Sequence, residues 1–161
     1  MKYFNGFCLK GEEELFAEYL QECEFCVAGF SFGAQKALEY ALYSKKRVDK
    51  LQLFSPAFFS YSKKAVDINL HAFEKNKDAY IKNFLTKAGL YDKKYLCSCT
   101  KDELVSLFTF DWEKISLLKG VKIEIFIGEF DKIIDSKKAY GFFKNYADVY
   151  LIKKANHFLR S

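Results

Sequence analysis

Gly29-Phe30-Ser31-Phe32-Gly33 stands between Phe25-Cys26-Val27-Ala28 and Ala34-Gln35-Lys36-Ala37-Leu38. The residues before it read as a buried strand and those after it as a helix. A serine at the centre of a G-x-S-x-G turn between such elements is the pattern of a nucleophile carried on a sharp strand-to-helix bend. The glycines follow from the geometry. The tip residue is forced into strained torsions, and the helix passes so close to the strand that a Cβ two residues to either side would not fit. Five letters also recur by chance, so the weight of the motif depends on what surrounds it.

Working outward, residues 2–7 read as a short apolar strand ending at Asn5-Gly6-Phe7, and 24–30 as the strand that enters the turn. A helix is expected from Gly11 onward. Glu12, Glu13 and Glu14 would complement the dipole of its first turn, and Leu15, Phe16, Tyr19 and Leu20 would share one apolar face. The helix after Ser31 places Ala34, Ala37, Leu38, Ala41 and Leu42 on one stripe, with Lys45-Lys46-Arg47 near its end. Residues 49–54 form a third strand closed by Ser55-Pro56. From 60 to 119 the β pattern disappears. Helices are expected over 63–73 and 77–88, the second closed by Gly89, and Thr100-Lys101-Asp102-Glu103 is a capping box ahead of Leu104, Leu107 and Phe108. A short helix follows Asp111 and stops at Gly120. Strand 121–127, turn 128–131, helix 135–146 and strand 149–152 complete the chain. Alternating strands and helices on both sides of a helical stretch predict a single α/β domain over 1–161, with a mostly parallel sheet, flanking helices and 60–119 as a helical cap insertion.

The 161 residues are enough for one domain burying about 70% of its unfolded surface, and half of them are hydrophobic and 19% aromatic, which suits a packed core with an apolar pocket. Charge is unevenly placed. Residues 60–101 hold nine lysines against four acidic residues, which accounts for the whole net charge of +5. That segment is either a solvated helical face or a docking surface for an acidic partner. Nucleic acid is disfavoured, because the only arginines are Arg47 and Arg160 and no nucleic-acid motif is present. The first residues lack the apolar core of an export signal, and no uncharged run approaches the ~18–20 residues of a membrane span. With five cysteines, an odd number, and no export signal, the expectation is a cytoplasmic monomer with reduced thiols. Cys23-Glu24-Phe25-Cys26 has redox or metal-knuckle spacing, but it leads into a strand instead of opening a helix. Cys97-Ser98-Cys99 has one-residue spacing, unusual for zinc. No metal or cofactor is expected.

A serine hydroxyl is a weak nucleophile unless a base takes its proton and an acid holds the base. Of the two histidines, His71 falls among charged residues in the helical segment, whereas His157 follows the last strand. Asp131 follows the strand before it, and Asp135, four residues on, is its rival for the acid. The order Ser31, Asp131, His157, with each residue just after a strand, is that of the α/β-hydrolases. An oxyanion hole in this fold takes one backbone N–H from the residue after the serine, here Phe32, and one from an early strand-to-helix loop.

Asn5-Gly6-Phe7-Cys8-Leu9-Lys10 resembles the His-Gly-Trp-Gly loop of pimeloyl-acyl-carrier-protein methyl ester esterases, the carboxylesterases of biotin synthesis. Asn5 replaces the motif's histidine, which is tolerable because the loop contributes a backbone N–H. The Ser31 turn, Gly128-Glu129-Phe130-Asp131 and Asn156-His157 correspond to the other motifs. Over essentially its whole length the chain is most similar to the short BioV type of this family. It departs from longer α/β-hydrolases in lacking leading strands and one internal strand. The resemblance implies a serine esterase with Ser31, Asp131 and His157 as its triad and the Phe7 and Phe32 amides as its oxyanion hole. It implies a methyl-capped pimeloyl chain on the phosphopantetheine arm of acyl carrier protein as substrate. The carrier would dock on Lys63, Lys64, Lys75, Lys77, Lys82, Lys87, Lys93 or Lys94, and Phe58 and Phe59 are candidates for the acyl channel or for ordinary core. The same triad would serve an acyl thioesterase or a general small-ester hydrolase, and a shortened hydrolase could also be a non-catalytic carrier-binding module.

Overall fold

Five strands lie side by side in chain order, all parallel, in a computed structural model that describes all 161 residues. They are β1 (Lys2–Phe4), β2 (Cys26–Phe30), β3 (Lys50–Phe54), β4 (Lys122–Gly128) and β5 (Asp148–Ile152). Register is continuous across the middle, with Phe30 beside Phe54, Phe54 beside Phe126 and Phe126 beside Tyr150. Alternate side chains therefore form two rows of opposite character.

One face carries Val27, Leu51 and Ile123 and packs under helix α1 (Phe32–Tyr43) and helix α5 (Ser136–Phe143). Ala34, Ala37 and Leu38 are fully buried, so small side chains let α1 lie close to the strands. The opposite face carries the aromatic row, covered by the segment after β1. Phe16 is fully buried and stacks on Phe54 at 4.9 Å and 2°, and Tyr19 packs on Phe126. Gln52 stitches that segment down. Its Oε1 accepts the Gln21 N–H at 2.8 Å, and its Nε2 donates to the Tyr19 carbonyl at 3.0 Å and to Glu124 Oε1 at 3.2 Å.

Between β3 and β4 run helices α2 (Lys63–Lys75), α3 (Lys77–Ala88) and α4 (Lys101–Thr109), with 3-10 turns at Lys93–Tyr95 and Trp112–Leu117. Their starts are capped by side chains, as Ser62, Asn76 and Thr100 accept the N–H groups of Ala65, Ala79 and Glu103. Gly89, at φ 114°, ends α3 in the left-handed region. A second apolar cluster, containing Phe7, Phe32, Phe73, Leu104 and Phe108, joins these helices to the loop after β1 and the start of α1.

Several sequence expectations need correction. The strand expected over 2–7 is β1 alone, and the helix expected from Gly11 is a 3-10 turn, Glu12–Phe16. Gly11 sits at φ 70° and turns the chain so that Glu12 points inward, fully buried, instead of facing solvent. The last helix is shorter than 135–146. The five cysteines are not all free thiols. Cys8 is joined to Cys99 and Cys23 to Cys26, leaving Cys97 free. The first pair is 91 residues apart in the chain, and only the packing of the helical segment against the loop after β1 brings it together. No helix is long and apolar enough to cross a membrane.

Candidate active site

Ser31 stands at the end of β2 with φ 53° and ψ −111°, a strained conformation for a residue with a Cβ. The two glycines of the motif have steric causes. A Cβ on Gly29 would lie 2.2 Å from the Gly33 carbonyl oxygen, and one on Gly33 would lie 2.0 Å from the Phe4 carbonyl oxygen. The second contact presses the loop after β1 against the start of α1. Gly128 serves the same end at the other side, where an added Cβ would meet the Asn156 oxygen at 2.2 Å. The turn after β4 and the turn after β5 can thus lie against each other.

These approaches assemble three side chains from distant parts of the chain. His157 Nε2 is 2.9 Å from Ser31 Oγ, and His157 Nδ1 is 2.6 Å from Asp131 Oδ2. The side chains of His157 and Asp131 are 1% and 0% exposed. The other Asp131 oxygen accepts the N–H groups of Ile133 at 2.7 Å and Ile134 at 3.1 Å, which fixes the carboxylate plane. Asn156 holds the following turn, its Oδ1 accepting the N–H groups of Phe158 and Arg160. Asp135, the rival acid, is occupied elsewhere. It caps α5, accepting the Lys137 and Lys138 amides. His71 is exposed on α2, away from these groups.

Phe32 follows the serine directly and Phe7 packs against Phe32, their rings 6.3 Å apart, and both are buried. Neither amide has an acceptor within the protein. A buried N–H without a partner is rare in folded proteins. A cavity of about 180 Å³ flanks the site. Its walls include Phe59, Tyr61, Tyr80, Phe84, Phe108 and Ile133, with Lys87 at one side. It adjoins the site through Phe84, whose ring packs on Phe7, and through Ile133, whose amide binds Asp131. A larger hollow of about 560 Å³ lies at the amino ends of β1 and β2, among Lys2, Glu24, Lys46 and Arg47, far from these groups. No group of acidic, histidine and cysteine side chains is arranged to hold a metal ion.

The comparisons bear on the fold. No family model matches the chain, and no curated protein matches it. Among solved structures, an esterase from Exiguobacterium antarcticum superposes with a TM-score of 0.65 at 18% identity, over 82% of this chain and 59% of that one. MenH from S. aureus superposes with a TM-score of 0.63 at 12% identity, over 96% of this chain and 85% of that one. The chain has the α/β-hydrolase fold. The carboxylesterase CesB from Bacillus subtilis matches at 0.55 and 18% identity, over 91% of this chain and 57% of that one. The chain thus spans less than two thirds of the length of both esterases.

The remaining residues singled out from sequence are scattered. Phe59 lines the cavity, whereas Phe58 packs on Phe142 and Phe143 of α5. Lys63, Lys64 and Lys75 lie on α2 and Lys82 and Lys87 on α3. Lys77 donates to the Cys99 carbonyl. Lys94 is paired with Glu14 at 2.8 Å, which raises the lysine's pKa. Glu12 belongs to the site's surroundings, whereas its sequence context predicts a carboxylate in the first turn of a helix, complementing the dipole. The only signal was its place in a run of three glutamates directly after a glycine.

Proposed function

We propose that the protein is a serine ester hydrolase. The observation that carries this reading is the hydrogen-bonded line from Ser31 Oγ through His157 to Asp131, set beside the two unpartnered amides of Phe7 and Phe32. His157 Nε2 takes the Ser31 proton as Oγ bonds to the ester carbonyl carbon. The carbonyl oxygen becomes an alkoxide held by the two amides, and Asp131 keeps the imidazolium oriented. Collapse of the tetrahedral adduct breaks the ester C–O bond, and His157 returns its proton to the departing alcohol. Water, deprotonated by His157, then attacks the acyl-serine, and the acid leaves as Ser31 recovers its proton.

For the substrate, the resemblance to the biotin-pathway esterases supports the methyl ester of pimeloyl-acyl-carrier protein. Methanol would leave first and the free pimeloyl carboxylate second. The lysines of α2 and α3 offer positive charge to an acidic carrier, and the aromatic cavity suits a short aliphatic chain.

Three measurements test this. Ser31→Ala should lower kcat by on the order of 10⁶-fold, and a fluorophosphonate should label the wild type at Ser31 alone. An unlabelled wild type would point instead to a binding module. Mass spectrometry of methyl pimeloyl-carrier protein incubated with the enzyme should show a loss of one methylene's mass, from ester to acid. Release of the acyl chain from the carrier would identify a thioesterase instead.

A further inference from the structure

Gly6 is the residue before the Phe7 amide, and a glycine is the residue most able to let a peptide plane swing. A Cβ there would lie 2.7 Å from the Phe30 ring, so any other residue would have to displace that buried side chain. The two peptide planes that meet at Gly6 are nonetheless both held. The Gly6 carbonyl accepts the Leu9 N–H at 3.1 Å. In a trans peptide this turns the Phe7 N–H to the opposite side. The Gly6 N–H donates to Glu12 Oε1 at 2.7 Å.

Glu12 is an expensive residue to place there. It is 0% exposed, its Oε1 also accepts the Tyr3 hydroxyl at 3.3 Å, and its Oε2 has no partner. No basic side chain is among the groups that act on it, and burial pushes its carboxyl pKa upward. An apolar residue of similar volume would fill the space without that cost. A carboxylate does provide an acceptor roughly twice as strong as a neutral one, and it is directed at the one amide able to lock the pivot. Gly11 makes the reach possible, at φ 70° and with its own N–H donated to Asn5 Oδ1 at 3.3 Å. Residues 5 and 6 are thereby closed onto residues 11 and 12.

We propose that Glu12 is the positioning residue of the oxyanion hole, its buried carboxylate holding the Gly6 amide so that the Phe7 N–H stays aimed at the substrate's carbonyl oxygen. This rests on the serine-hydrolase reading. Glu12 touches no reacting atom and acts through the backbone.

The test compares wild type with Glu12→Ala, Glu12→Asp and Glu12→Gln on p-nitrophenyl butyrate, together with inhibition by an alkyl trifluoromethyl ketone, whose adduct with serine places an alkoxide in the hole. Loss of a complete oxyanion donor costs about 10²–10³-fold, and a donor left free to swing should cost less, roughly 10–100-fold. Glu12→Ala and Glu12→Asp should lower kcat by that factor, leave KM within about threefold, and weaken the ketone in proportion. Glu12→Gln keeps an acceptor facing Gly6 and should stay within about fivefold of wild type. Wild-type kcat in both the alanine and aspartate variants would overturn the proposal, as would a change in KM alone or a glutamine variant as impaired as alanine. Failure of both the alanine and aspartate variants to fold would mark Glu12 as a residue of the fold and also overturn it. Fluorophosphonate labelling of the wild type separates the two readings. Without labelling at Ser31 both fall together; with labelling and indifferent Glu12 variants only the positioning role falls.

Discussion

At the carboxyl ends of the strands Ser31, Ser55 and Cys8 all sit at positive φ, the Phe7 and Phe32 amides lack acceptors, and both Glu12 Oε2 and Ser55 Oγ are buried without partners. The face of the same sheet covered by the segment after β1 carries a second polar cluster built in the opposite way. There Glu124 is paired with Lys50 at 2.7 Å and Lys122 at 3.5 Å and accepts from Gln52, and none of its buried side-chain atoms lacks a partner. Burial alone would raise the Glu124 pKa, but the lysines and Gln52 outweigh it and the net shift is downward. For Glu12, burial wins and the shift is upward. Two buried glutamates in one small domain therefore serve different ends. Unsatisfied groups and strained torsions gather around Ser31, and the satisfied network lies where Gln52 and Glu124 fix the covering segment to the sheet.

That contrast can be broken at either end. The largest effect belongs to Ser31→Ala, which should lower kcat by on the order of 10⁶-fold while leaving Tm close to wild type, since alanine keeps the strained backbone and only the Oγ hydrogen bond to His157 is lost. A fall in Tm comparable to that of a core substitution would remove the distinction. Asp131→Asn should cost on the order of 10⁴-fold in kcat by disturbing the histidine tautomer. Asp135→Asn should leave kcat near wild type, because asparagine caps a helix nearly as well. Equal losses in the two variants would undo the assignment of the acid.

Glu124→Ala should reverse the pattern. Truncating one partner of a buried ion pair costs about 3–5 kcal/mol, and roughly 2–3 is expected here because Lys50 can reach water. Urea denaturation should register that loss while kcat stays within about twofold. A strong loss of kcat would tie the sheet face to the site.

The pH dependence of stability sharpens the comparison further. Glu124, with its folded pKa below 4.5, stabilises the fold above that pH and loses its contribution as pH falls through the depressed value. Glu12, with its folded pKa above 4.5, opposes folding increasingly as pH rises through the interval between its unfolded and folded values. Urea midpoints of Glu12→Gln should therefore gain on wild type as pH rises from 4.5 toward neutrality, and those of Glu124→Gln should differ least from wild type at the acid end. Parallel curves for the two variants would count against the contrast. The smallest test concerns the cysteines. Alkylation of the unfolded protein without reductant should modify Cys97 alone, and all five cysteines after reduction.

Much of this was legible in the chain. The Ser31 turn needs two small residues at fixed offsets, and the apolar runs before Asp131 and His157 place both just beyond strands. Periodicity in 63–88 and the Thr100 capping box located the helices of the middle segment closely. What failed was the stretch 5–16. Asn5, Gly6 and Phe7 continue an apolar run and read as strand, yet Gly33 packs against the Phe4 carbonyl there and the pairing stops at Phe4. Glu12 read as a helix-start carboxylate because three consecutive glutamates normally face water.

By itself the sequence determined the alternation of strands and helices, the order Ser31, Asp131, His157 and the glycines that allow close approach, because each of these is written in local spacing. The tertiary structure alone decided that Asp131 and not Asp135 meets His157, that Cys8 meets Cys99 and that Glu12 turns inward to Gly6. Those outcomes depend on which distant segments share the same few ångströms, and on whether a polar group left there finds a partner before it is sealed from water.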